Sequence, residues 1–398
     1  MARPRGYFGM PSWLAALMLA APLTVVPAAA QDCETKIGAL GPMSGGAAAW
    51  GMAMRSGAEF AAAQVNEAGG LQVGSRKCKV TVVNYDTKYT ADGAAAGGNY
   101  LASQNIKVII GPVGSPEATG IKPVANRNGQ LTFNSSYAKD AIGPQWPLAF
   151  HQLAGPVVWA PPMVKAAKER FKIGTVVVVA PNDQGGTDVA SVNAEAYKAN
   201  GIKTSEEYYQ RGTTNFAPIV TRIMNARPDA VDTASSPPGD AATMVKQLLE
   251  AGFTGVIGRL GGPGTPEIIR AAGGVEKIKG FYWLELVAID DPKVRSMLGD
   301  YQKVMKTAPP DNTLMFTSAA ATRMALKAIS AAGTDSDAEK IAAALRKLPP
   351  EDPYLGQGAW AGQSNFGINQ ELAFPAGIGL VEDGKHLGVK VLNLSGGR

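Results

Sequence analysis

Short apolar runs rich in valine and isoleucine alternate along the chain with longer alanine-rich segments of helical period, the sequence form of repeated βα units around a parallel sheet. Residues 37–40, 80–85, 108–110 and 131–133 read as strands. Between them, helices are predicted over 47–67, closed by Gly69-Gly70, and over 90–103. A second series begins after Phe150. Residues 175–180 are apolar almost throughout and read as a buried strand, and a helix over 188–200 ends at Gly201. Further strands fall near 203–208, 230–233, 256–258 and 281–286. Two such series predict two α/β lobes. The segment 292–348 reads helical with no strand, carrying Met297, Tyr301 and Val304 on one face. A turn-rich connection follows over 349–358, then a last strand with its turn over 373–382.

Composition narrows the class. With 398 residues, 45% of them hydrophobic and 18% charged, the chain is neither disordered nor a disulfide-dense miniature, and its length suits two or three domains. The formal charge of +5 comes without a basic run, which argues against nucleic acid as a partner, and two histidines give no basis for a metal site. Arg3 and Arg5 precede an apolar stretch over 13–21 that is broken by Pro22 and Pro27, and Ala28-Ala29-Ala30 follows. That is the form of a secretory leader over 1–30, cleaved near Ala30, and it is too short to span a membrane. In an exported chain the two cysteines, Cys33 and Cys78, are expected to pair. Each precedes a strand-like run, so the bridge would pin two strands at their starting ends.

The spacings of common catalytic and phosphate-binding motifs are missing: no Gly-x-x-x-x-Gly-Lys-Ser/Thr, no His-Glu-x-x-His and no Gly-x-Ser-x-Gly occurs. Neither an enzyme nor a cofactor is expected. The polar signals gather where strands end, the edge at which open α/β sheets bind ligands. After 108–110, Ser115 can cap a helix with Pro116 and Glu117 in its first turn, leaving amides free for an anion. Asn134-Ser135-Ser136-Tyr137 follows 131–133, and Trp50 follows the glycine-rich loop after 37–40. In the second series the matching loops hold Gln184-Gly185-Gly186 and Ser235-Ser236.

Ile37-Gly38-Ala39-Leu40-Gly41-Pro42-Met43-Ser44-Gly45, Trp50-Gly51, Gly57-Ala58-Glu59 and Val65-Asn66-Glu67-Ala68-Gly69-Gly70 resemble the opening of the periplasmic leucine/isoleucine/valine-binding protein family. The resemblance continues through Val108-Ile109-Ile110-Gly111 and Asn182-Asp183. It implies an α/β fold of two doubly wound parallel-sheet lobes joined by a three-crossover hinge. The first lobe would comprise 31–152 plus 287–355, the second 153–286 plus 356–398. It also implies a periplasmic substrate-binding protein of an ABC importer, expected to act as a monomer and to present its closed form to a permease in the inner membrane.

By the same resemblance, Trp50 covers the ligand and Ser115 binds its carboxylate. Ser136, Tyr137 and Ala138 lie in the loop that normally supplies a threonine, with Ala138 at the matching position. Relatives that bind amino acids carry an acid after 256–258 to pair with the ammonium, and here Leu260 stands at about that place. The aromatics expected near Gly185, beside Gln184, and near Ser236 are missing, which predicts a larger cavity. A buried ammonium without a countercharge is costly. The expected ligand is therefore a small carboxylate on an apolar body, an aromatic or related organic acid. The alternatives are an amino-acid-binding protein and a ligand-sensing receptor module.

Overall fold

The computed structural model describes Gly9 and residues 33–392, so the leader expected over 1–30 lies outside the described residues. From Cys33 onward the chain forms one compact unit. No helix among the described residues is long and apolar enough to cross a membrane.

In chain order the first series comprises β1 (Glu34–Gly41), α1 (Ala48–Glu67), β2 (Leu71–Val73), β3 (Arg76–Asp86), α2 (Ala91–Ser103), β4 (Val108–Ile110), α3 (Ser115–Asn128), β5 (Leu131–Asn134) and β6 (Ala149–His151). The second comprises α4 (Pro156–Phe171), β7 (Thr175–Pro181), α5 (Gln184–Ala199), β8 (Lys203–Tyr209), α6 (Ala217–Ala226), β9 (Ala230–Asp232), α7 (Pro238–Glu250), β10 (Val256–Arg259), α8 (Thr265–Ala271) and β11 (Gly280–Glu285). Then come α9 (Pro292–Met305), α10 (Leu314–Ala332), α11 (Ala338–Leu345), the small hairpin β12 (Glu351–Asp352) and β13 (Gly356–Gln357), β14 (Ala359–Ala361), α12 (Gln363–Phe366), β15 (Glu371–Ala373), β16 (Ala376–Glu382) and β17 (Lys385–Leu392).

Two sheets result, one per lobe. The first has the order β14-β15-β6-β5-β4-β1-β3-β2 and the second β17-β16-β11-β10-β9-β7-β8. Both are parallel at the centre and antiparallel toward an edge. Helices cover both faces, so central strands bury every side chain. Val176, Val177, Val178 and Val179 of β7 are all buried, each stabilising the fold by about 1.5–3 kcal/mol. The edge strand β8 instead carries Glu206 and Glu207, which discourage pairing with another chain.

The chain crosses between lobes three times: between β6 and α4, between β11 and α9, and between β15 and β16. His151 and Glu371 lie just before the first and third crossings. His151 Nδ1 sits 2.9 Å from Glu371 Oε2, and that oxygen also accepts Gly155 N–H at 3.1 Å, so one buried carboxyl ties two hinge strands together. After the second crossing α10 packs on α1 of the first lobe through Ala319, Ala320 and other small residues.

Residues 356–373 correct the expected division of the chain. They were expected in the second lobe, yet β14 and β15 extend the first sheet, where Glu371 pairs with His151. Strands of three residues lack the length to show a period, and their location is set by the crossings on either side. The last strand is likewise followed by a partner: Asp383 and Gly384, both at positive φ, turn β16 into β17. The expected bridge between Cys33 and Cys78 is formed, and it joins the starting ends of parallel neighbours β1 and β3.

Candidate functional site

The cleft between the lobes meets the carboxyl ends of the strands. On the first-lobe side, β4 leads into α3 through Gly114, whose N–H donates to Glu117 Oε2 at 2.6 Å while Thr87 Oγ1 donates to Glu117 Oε1. These bonds fix the first turn of α3, where Gly114 and Ser115 line the cleft. Glu117 is fully buried, and desolvation pushes its carboxyl up to about 8. Ser115, next to it, is buried and accepts a hydrogen bond from Ser136 Oγ at 3.0 Å. Asn134 supports that arrangement: its Oδ1 accepts Ser136 N–H at 3.1 Å and its amide donates to Phe150 O at 3.0 Å. Ser135 Oγ is buried without a partner among the described residues.

Three aromatics line the same cavity. Trp50 lies in the first turn of α1, Tyr137 after β5, and Tyr89 between β3 and α2. Tyr137 is braced edge-on by Trp159 at 5.7 Å. Tyr89 takes a left-handed φ of 62°, which turns its ring toward Trp50, 6.1 Å away, and under the guanidinium of Arg211, 4.3 Å from its centroid. Arg211 belongs to the second lobe and is itself forked onto Asp183.

From the second lobe come two loops. Ser235 follows β9, and Gly261, Gly262 and Pro263 follow β10. Asp232 holds both: its Oδ1 accepts Ala234 N–H at 2.9 Å and Leu260 N–H at 3.0 Å, and its Oδ2 accepts Asn193 Nδ2 and Tyr197 OH. Burial raises its carboxyl to about 6. Behind the loops, Arg259 donates to Ser236 O at 3.1 Å and to Pro263 O at 2.9 Å. The Trp50 indole N–H donates across the cleft to that same Pro263 oxygen at 2.8 Å. Gly262 allows this: a Cβ there would stand 3.2 Å from the indole ring.

The lobes are closed. Gln184 accepts from Thr119 Oγ1 and donates to Asp140 Oδ1, both at 2.8 Å, and Lys139 N–H donates to Asp188 Oδ2 at 2.9 Å. Gly185, in the first turn of α5, comes so close that a Cβ would stand 2.7 Å from Ser115 Oγ and 3.0 Å from Ser115 Cβ. A cavity of about 30 Å³ remains.

Of the residues singled out by sequence, Trp50, Ser115 and Tyr137 line the cavity. Ser136 and Ala138 stand one layer behind, with Ser136 holding Ser115 and accepting Ala138 N–H at 3.2 Å. Three expectations need correcting. Gln184 is an exposed clasp at the rim, Ser236 is turned away while Ser235 faces the cavity, and Leu260 is buried in the core with the wall formed by the three residues after it. The larger cavity is not formed either, because the bare Gly185 lets α5 advance onto Ser115 and Tyr89 fills space from the first lobe. Tyr89, Ser135 and Arg259 carried no sequence signal beyond following or ending a strand.

A family model described as periplasmic binding protein matches residues 34–374. The chain belongs to that family. It is similar to the leucine-, isoleucine-, valine-, threonine-, and alanine-binding protein of Pseudomonas aeruginosa, 25% identical over 321 residues that cover 80% of this chain and 83% of the relative. Among solved structures it shares its fold with the substrate binding protein LivJ from Streptococcus pneumoniae in complex with isoleucine (TM-score 0.76, 21% identity, 90% of this chain and 99% of the other). It shares it too with a solute binding protein from R. palustris in complex with benzoate (TM-score 0.73, 19% identity, 89% and 96%). As a member of the leucine/isoleucine/valine-binding type it is an extracytoplasmic substrate-binding protein of the ABC-transporter class and not an enzyme.

Proposed function

We propose that this periplasmic binding protein captures a small carboxylate on an apolar, aromatic body and delivers it to an ABC permease as a monomer. The observation that carries this reading is the make-up of the cavity wall: serine hydroxyls, helix-terminal amides and three aromatics, with no acidic side chain. With the lobes parted enough to admit it, a carboxylate would meet Ser115 and the first turn of α3, and its ring would meet Trp50, Tyr89 and Tyr137. An ammonium would meet no countercharge there, at a cost of several kcal/mol. The benzoate complex of the R. palustris neighbour supports an aromatic acid, and the amino acids named for the Pseudomonas relative favour the rival reading.

Thermal melting with benzoate, leucine and isoleucine separates the two. Benzoate at about 100 times its dissociation constant should add about 2.7 kcal/mol of stability, and the amino acids none. Leucine stabilising while benzoate does nothing overturns the proposal. Ser115→Ala removes a hydrogen bond to a charged group worth about 1.5–3 kcal/mol, so benzoate affinity should fall about 10- to 100-fold by calorimetry. Unchanged affinity would leave Ser115 with a purely structural role.

A further inference from the structure

We infer that the second lobe reads a second anionic group on the ligand, with Arg259 as the specificity-determining cation. The inference rests on the carboxylate reading above and narrows it to compact dianionic acids, of which an aromatic dicarboxylate is the simplest. Arg259 ends β10 and is fully buried. Two of its nitrogens donate to backbone carbonyls, while Nε has no partner among the described residues. No carboxylate pairs with it there. Glu267 and Asp232 act on it only from beyond ion-pair distance, and Asp232 already accepts from four donors. Burial draws the guanidinium pKa down to about 10, against the opposing pull of Glu267.

The charge stands close to the cavity. Pro263 O accepts both from Arg259 Nη2 and from the indole of Trp50, so two hydrogen bonds separate the guanidinium from a ring that lines the cavity. A negative group at the second-lobe end of the ligand therefore meets a fixed positive field in a medium that screens it poorly. The first carboxylate, at Ser115, occupies the opposite wall. The position at which amino-acid-binding relatives were expected to place an acid thus adjoins a residue of opposite sign.

Calorimetry with benzoate and terephthalate on the wild type, Arg259→Met and Arg259→Lys tests this, with the melting temperature of each ligand-free protein recorded. Wild type should bind terephthalate at least about tenfold more tightly than benzoate. Arg259→Met should lose that preference and Arg259→Lys should retain most of it, a pattern that mere loosening of the two loops would not give. Equal or weaker binding of terephthalate by the wild type, or a preference surviving Arg259→Met, overturns the inference. Should Arg259→Met fail to fold, Arg259→Gln, which keeps a donor for the loop carbonyls but no charge, takes its place and should lose the preference. If benzoate binds and no preference exists, only this inference falls. If neither acid binds, the carboxylate reading falls and takes this one with it.

Discussion

Gly185 shows how a single missing side chain sets the contact between lobes. Any larger residue there must push α5 away from Ser115, which leaves the open lobes undisturbed and penalises the closed ones. Gly185→Val should therefore weaken benzoate binding by about tenfold or more while the melting temperature of the ligand-free protein stays within a few degrees. Calorimetry and a melt check both halves. Residues of the first lobe were legible in sequence where they directly follow a strand, as Ser115 and Tyr137 do. The others were obscured by three-dimensional causes. Tyr89 reaches the cavity only because its backbone is left-handed, and Ala234, at a φ of 35°, rotates the next turn so that Ser235 rather than Ser236 faces inward. Leu260 was one residue from a functional candidate on one side and one from the cavity wall on the other.

Among elements, the start of α3 carries a pH signature. Glu117 has a folded pKa of about 8, raised by burial above its ordinary value, so over the interval between the two the folded state holds a proton that the unfolded state has lost. Its contribution is thus fully present at pH values below the ordinary carboxyl range and is lost as pH rises toward 8. Wild-type melting temperature should fall between pH 5 and pH 8 more steeply than that of Glu117→Gln, and parallel profiles would show that the group does not titrate there. The Cys33–Cys78 bridge acts at the other end of the strands. It closes a 45-residue separation, worth about 4 kcal/mol in the chain-entropy model. The double change Cys33→Ala, Cys78→Ala should lower stability by an amount of that order and leave benzoate affinity unchanged, because the site lies at the carboxyl ends. Sequence pattern located the long elements well. It named none of α4, α6, α7 and α8, the interior Pro161 and Pro162 making α4 mimic a loop, and it began α5 late because Gly185-Gly186 conceal a first turn that the Asp183 side chain caps.

For the whole molecule, the proposed capture is an act of closure. The clasps at Gln184, Lys139 and Trp50 exist only when the lobes meet, and a ring-bearing acid cannot enter a cavity of about 30 Å³ without their release. Small-angle scattering should give a ligand-free radius of gyration above that calculated for the closed structure, and saturating benzoate should reduce it. A radius that never changes would argue against hinged capture.

The three crossings also govern how the molecule comes into being. The first sheet waits for β14 and β15, and the second waits for β16 and β17, so neither lobe can finish while the tail of the chain is still unmade. Most parallel pairings lie within 34–151 or 175–285, but the strands that complete each sheet come from the end of the chain, and such distant pairings slow folding. Completion of either sheet therefore comes only after the strands beyond residue 358 have been made.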